Sequence, residues 1–113
     1  MDLVAEQLNK TNALKVKSVF SHLAASEDLK EKTFTLGQID LYKSLSSAFI
    51  EKIGYPVIRH LCNTSGVLNY PEAHFDMVRC GIGLYGYGNS DKDAENFQPI
   101  ATLKSVISQI HHV

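Results

Sequence analysis

The sequence predicts an α/β fold with parallel strands. Three observations lead there: a run rich in β-branched and aromatic residues at 16–22, an amphipathic helical pattern at 37–53, and a second apolar run at 57–62. Strand, helix and strand with short connections form a βαβ unit, and such a crossover requires parallel strands with the helix packed outside them.

Taking the elements in order, Leu3, Val4 and Leu8 are spaced as on the end of an amphipathic helix, with Asn9 and Asn12 closing it. Residues 16–22, VKSVFSH, form the first strand, and His22 stands at its carboxyl end. The polar stretch 26–32 reads as a solvated loop or helix start. Ile39, Tyr42, Leu45, Phe49 and Ile53 then recur at intervals of three and four and line one helical face, which predicts core packing. Gly54 and Pro56 end that helix, residues 57–62 form the second strand, and Asn63-Thr64-Ser65-Gly66 terminates it. A third apolar stretch, 75–85, carries Gly81 and Gly83, with Gly86 and Gly88 just beyond, where backbone is expected to approach something closely. Residues 89–96 read as a polar linker, and residues 100–113 as a long strand that includes the pair His111-His112.

Composition narrows the function. With 113 residues there is room for one modest domain. Hydrophobic residues at 44% and charged residues at 20% match an ordinary soluble globular protein. A formal net charge of -1, with Lys and Arg scattered, gives no electrostatic footprint for nucleic acid or for an anionic membrane. No stretch reaches the roughly 18 apolar residues of a membrane span, and the amino terminus has no signal-peptide core. Cys62 and Cys80 sit in apolar runs without disulfide spacing, so a reducing cytoplasm is expected.

The polar residues at the carboxyl ends of the strands are His22, then Asn63 with Thr64, then Arg79 with the glycines behind it. In parallel α/β folds this edge binds ligands, because loops and helix amino termini present backbone donors there. The turn Arg79-Cys80-Gly81-Ile82-Gly83 is suited to offering N–H groups to a phosphate, with the Thr64 hydroxyl beside them. Turns also use these residues routinely, so residue types alone do not decide. His60, Cys62, His74 and Cys80 are ligand types that zinc prefers, yet no pair has the close spacing of a metal site, and structural roles are expected for them. Neither thiol is marked as an activated nucleophile.

Three blocks carry a resemblance: SVFSHLAASE at 18–27, RHLCNTSGVLNYPEAHFDMVRCGIGLYGY at 59–87, and PIATLKSVISQIHHV at 99–113. In order and separation they resemble bacterial alanine racemases over nearly the whole chain. The middle block is the most specific. The resemblance implies a partial (β/α)8 TIM-type barrel, its last few strand-helix units, leading into the first strand of a β domain. Residues 1–95 would be the carboxyl-terminal portion of the barrel, and 96–113 the linker and first strand. A complete barrel needs about 250 residues, so an internal piece of a longer enzyme is expected. The implied cofactor is pyridoxal 5'-phosphate, the substrate alanine, and the assembly of the full enzyme a homodimer; the implied role is D-alanine supply for peptidoglycan.

Residue by residue, Arg79 matches the arginine that faces the pyridine nitrogen of the cofactor. Arginine keeps its proton, so that nitrogen would stay unprotonated and the ring a weaker electron sink, favouring simple proton removal and return. His22 matches a histidine beside the ring that hydrogen-bonds the arginine. Thr64 matches a phosphate-binding hydroxyl, Gly81 and Ile82 match backbone phosphate donors, and Asn63 a supporting residue. The family's Schiff-base lysine and catalytic tyrosine match nothing here, so the chain alone is expected to be inactive. Two alternatives follow from the same resemblance. One is a related racemase or a decarboxylase of a basic amino acid, though the decarboxylases place an acid where Arg79 stands; the other is a non-catalytic protein that binds the same cofactor.

Overall fold

A computed structural model of the chain describes residues 1–90, 93 and 95–111. Helix α1, Asp2–Leu8, is followed by strand β1, Ser18–Phe20, helix α2, Lys32–Ile53, strand β2, Ile58–His60, and helix α3, Thr64–Asn69. Short 3-10 turns lie at Leu29–Glu31, Pro71–Ala73 and Ile82–Tyr85. The two strands are parallel, with Ser18 opposite Ile58, Val19 opposite Arg59 and Phe20 opposite His60. The expected βαβ unit is therefore present.

Both strands are shorter than expected. The ladder stops after Phe20 because the next carbonyl, that of Ser21, accepts from Arg79 Nη2 at 2.7 Å instead of from a strand neighbour. A third chain segment runs beside β2. Asp76 N donates to Arg59 O at 3.1 Å, Met77 bridges His60 in parallel, and Arg79 N donates to Cys62 O at 2.9 Å. Arg79 thus stands at the carboxyl end of this segment, level with the ends of β1 and β2.

The turn into that segment contains Phe75, with φ +50, a left-handed conformation that an aromatic residue holds only when its neighbours fix it. The Tyr42 ring meets its edge at 5.1 Å, and the Arg59 guanidinium covers its face at 5.1 Å. Arg59 N also donates to Asp76 Oδ2 at 2.8 Å, so the residue after Phe75 is tied to β2 by two hydrogen bonds.

Helix α2 begins five residues before Gly37, which sits inside it on the exposed side with open space around it. Its start is set by Asp28, whose side chain caps Lys30 N at the preceding 3-10 turn. It buries Thr35, Ile39, Tyr42, Ser46, Phe49 and Ile53. The expected face was right except at Leu45, which is 47% exposed while Ser46 takes the buried position. The intervals 39, 42, 46, 49, 53 follow the helical repeat more closely, and the small Ser46 satisfies its hydroxyl on Lys43 O. Gly54 closes the helix at φ +76, its N–H on Ile50 O, which is the left-handed cap glycine permits.

Helix α1 also turns a partly different face inward than expected. Leu3 and Val4 are exposed, whereas Leu8, as expected, packs half-buried beside the small Ala5 against Phe49 and Ile53. Asn9 Nδ2 on Lys52 O at 2.9 Å holds α1 against the end of α2.

The main core is Leu23, Ile39, Tyr42, Leu61, Cys62, Tyr70 and Ala73, between the sheet and α2 with α3 alongside. The opposite face of the sheet is uncovered, and Phe20, Ile58 and Met77 are exposed on it. Beyond Pro99 the expected long strand is not formed: no strand occurs over 101–111, and Leu103, Val106, Ile107 and Ile110 are open to solvent. A strand needs a hydrogen-bonding neighbour, and the described residues supply none there. His112 and Val113, at the end of that expected strand, and Asp91, Lys92 and Ala94, in the expected linker, lie outside the described residues.

Candidate functional site

Arg79 is the most constrained side chain at the carboxyl edge of the sheet. Its Nη1 donates to His60 Nδ1 at 2.8 Å and to His60 O at 3.2 Å. Its Nη2 donates to Ser21 O at 2.7 Å, to Leu61 O at 3.2 Å and to His22 Nδ1 at 3.4 Å. Three backbone carbonyls and two imidazoles therefore fix one guanidinium plane. Guanidinium only donates, so both histidines must present an unprotonated Nδ1 to it. Nε–H is the guanidinium donor left without a partner among the described residues.

His60 is buried and stacks on Phe20, ring centroids 5.3 Å apart and planes 9° from parallel. The Arg79 guanidinium carbon lies 5.4 Å from the centre of the same Phe20 ring. Burial, with the Arg79 charge beside it, holds the His60 pKa below its ordinary 6.5, which favours the neutral ring that Arg79 requires. From the sequence His60 is only a candidate metal ligand. The register signal that would have found it is its place opposite Phe20, two residues before His22. His22, the histidine singled out from the sequence, is exposed and makes the longer contact.

The second part of the site centres on Thr64, the first residue of α3. Its Oγ1 accepts from Gly81 N at 3.0 Å and from Gly83 N at 3.1 Å. Both lone pairs are then used, and donation is the one hydrogen-bonding capacity the hydroxyl has left. A Cβ at Gly83 would lie 2.7 Å from Thr64 Cγ2, so glycine is what lets the turn close on the threonine, whereas a Cβ at Gly81 would meet nothing within 4 Å. Closeness of approach holds for Gly86, against Gln98 and Pro99, and for Gly88, against Asp93, as well as for Gly83. Ile82 begins the 3-10 turn, and its N–H has no partner among the described residues. Asn63 lies behind Thr64 and not at the edge. Its Oδ1 caps α3 by accepting from Gly66 N at 2.9 Å, and it also accepts from Ser26 Oγ at 2.8 Å.

The cysteines take no part. Burial pushes the Cys62 thiol up to about 11, and Sγ donates to Ala73 O at 3.1 Å. Cys80 is exposed. Among the described residues no group of three or more His, Cys, Asp or Glu is arranged to hold a metal ion, and no helix is long and apolar enough to cross a membrane.

Comparison with known proteins gives a consistent result. Residues 1–89 match the family described as alanine racemase, N-terminal domain. The alanine racemase of Treponema denticola is 43% identical over 113 aligned residues, covering 97% of this chain and 28% of that protein. Alanine racemase 1 of Oceanobacillus iheyensis is 30% identical over 99, covering 85% and 26%. Among solved structures, the alanine racemase of a D-cycloserine-producing Streptomyces lavendulae superposes with a TM-score of 0.72 at 28% identity, over 87% of this chain and 27% of that one. That of Clostridium difficile 630 gives 0.71 at 27% identity, over 88% and 27%. The chain spans a little over a quarter of the length of the relatives it matches.

Proposed function

The chain belongs to the alanine racemase N-terminal-domain family, and on that premise we propose that it is the cofactor-cradle segment of a pyridoxal-phosphate-dependent enzyme interconverting L- and D-alanine. The observation that carries this reading is the fixed guanidinium of Arg79, whose Nη groups are saturated by the chain's own acceptors. A donor held that rigidly, with Nε–H to spare, suits an aromatic nitrogen that must remain unprotonated. Arginine is a permanent cation, so the group facing that nitrogen has no proton to give up.

The rest of the site fits the same cofactor. The Thr64 hydroxyl, left only with donation, and the unpartnered Ile82 N–H would serve a phosphate, with Gly81 N–H engaged by Thr64 as the turn's hinge. When bound, pyridoxal phosphate supplies an electron sink for the carbanion left by removing the substrate α-proton. The chain's own residues bind and orient it. Arg79 fixes the ring-nitrogen end, Thr64 and the Ile82 N–H fix the phosphate end, and Asn63 supports α3; Gly81, expected as a second phosphate donor, instead spends its N–H on Thr64. None of its lysines or tyrosines is proposed to move the proton.

The uncovered sheet face supports placing residues 1–95 in a barrel. A parallel sheet is ordinarily covered on both faces, and Phe20, Ile58 and Met77 stand where an enclosed interior would be. The unpaired apolar run after Pro99 accords with 96–113 being the linker and first strand of a second, β-rich domain. In the whole enzyme the assembly would be a homodimer.

The test is a titration of the 113-residue chain with pyridoxal phosphate, recording absorption before and after borohydride, with alanine racemisation assayed on the same sample. Binding that weakens in Arg79→Ala, without a borohydride-fixed lysine adduct or D-alanine formation, is the expected result. A reducible adduct together with turnover would place the chemistry on a lysine of this chain and overturn the assignment.

A further inference from the structure

Ser26 is fully buried and belongs to neither end of the site. It lies in the connection after β1, four residues beyond His22. Its hydroxyl donates to Asn63 Oδ1 at 2.8 Å, and that same oxygen accepts from Gly66 N. Its backbone carbonyl accepts from Asn69 Nδ2 at 2.8 Å. One residue therefore grips α3 at its amino-terminal cap and at its last residue. The connection that carries Ser26 is itself anchored to α2, by Ala24 N on Gln38 Oε1 at 3.1 Å and by Thr35 Oγ1 on Ala25 O at 3.4 Å. Leu23, just before, packs against Gly66, where an added Cβ would come within 3.1 Å of it.

A six-residue helix is too short to hold its own orientation in water, so its position comes from what it is attached to. Thr64 opens that helix, and its hydroxyl is the acceptor for Gly81 N and Gly83 N. We infer that Ser26 is a positioning residue for the phosphate end of the site: through Asn63 and Asn69 it sets α3, and with it the Thr64 hydroxyl, in register with the 81–83 turn. The inference rests on the proposed cofactor reading. It adds a residue that touches neither cofactor nor substrate, and it makes the connection bearing His22 the common support of both ends of the site.

A role of this kind separates from a merely structural one by ligand. Pyridoxal 5'-phosphate and pyridoxal share the ring and differ in the phosphate, so the ratio of their affinities for the full chain reports the phosphate end alone. Ser26→Ala is expected to lower that preference about tenfold, the size of one lost hydrogen-bond constraint, while leaving pyridoxal affinity as it was. Thr35→Val removes another buried hydroxyl of the same anchor without touching α3, and it should leave the preference intact. Asn69→Ala, at a less buried position, should lower the preference in the same direction and decides the matter if Ser26→Ala does not fold. A folded Ser26→Ala chain with unchanged preference, or an unchanged Asn69→Ala where Ser26→Ala is unfolded, overturns the inference and leaves the cofactor reading standing. No preference for the phosphorylated ligand in the parent chain overturns both.

Discussion

The guanidinium of Arg79 lies nearer to His60 than to His22, 2.8 Å from the Nδ1 of the first and 3.4 Å from that of the second. The buried histidine therefore governs the arginine, and its protonation state is tied to folding. Burial and the adjacent Arg79 charge depress the His60 pKa below 6.5. In the unfolded chain His60 takes up a proton as pH falls through about 6.5, whereas in the folded chain it resists until a lower pH. Stability from this group is full above 6.5 and is lost as pH falls from there through the folded pKa. Thermal unfolding measured across that window should show a falling midpoint, and the fall should flatten in His60→Asn, which keeps an acceptor but does not titrate. An equally steep fall in the variant would remove His60 as its cause.

Arg79→Lys tests the fork itself. An ammonium offers three donors from one point and cannot serve three carbonyls and two ring nitrogens that surround a plane. Several acceptors now satisfied would go without a partner. Denaturant unfolding should show a loss of about 1–3 kcal/mol, the cost of leaving part-buried acceptors such as His60 O and Leu61 O unpaired. A loss below about 0.5 kcal/mol, the range of ordinary surface substitutions, would mean that water replaces the guanidinium without penalty.

Much of this was legible in the sequence, and the rest fails for identifiable reasons. The parallel unit was visible because helical periodicity over residues 37–53 and two β-branched runs are local signals. Arg79, Thr64 and the glycine turn could be singled out because they stand at the carboxyl ends of apolar runs, although residue types alone assign them no role. His60 was missed because its partners, Phe20 and Arg79, are brought to it by strand register, which no local pattern encodes. Ser46 replaced Leu45 because a small polar residue with an internal acceptor fits where the chains pack closely, and hydrophobicity alone ranks the leucine higher. The expected strand after Pro99 has the right composition, but composition cannot supply the neighbouring strand.

Gly83 and Gly81 offer a matched contrast two residues apart. A methyl at position 83 would press on Thr64 at 2.7 Å and 3.3 Å, on the carbon and the hydroxyl of the same side chain. Gly83→Ala should therefore cost about 1–3 kcal/mol by overpacking and turn Thr64 out of its place. Gly81→Ala meets open space at φ -109 and should stay within about 0.5 kcal/mol of the parent chain. Equal losses at both positions would show that the turn needs glycine for its backbone and not for its contact with Thr64.

Tyr70 closes the main core from the end of α3, 1% exposed, and its hydroxyl has no hydrogen-bond partner among the described residues. A buried hydroxyl that leaves water without a partner costs free energy, whereas the ring around it contributes dispersion and apolar burial. Tyr70→Phe removes the costly atom and keeps the ring. The variant should be as stable as the parent or up to about 1 kcal/mol more stable, and Tyr70→Ala should lose about 3–5 kcal/mol through the cavity it leaves. Denaturant titration of the two variants beside the parent chain separates the contributions, and a Tyr70→Phe chain destabilised by more than about 1 kcal/mol would show that the hydroxyl is satisfied in solution.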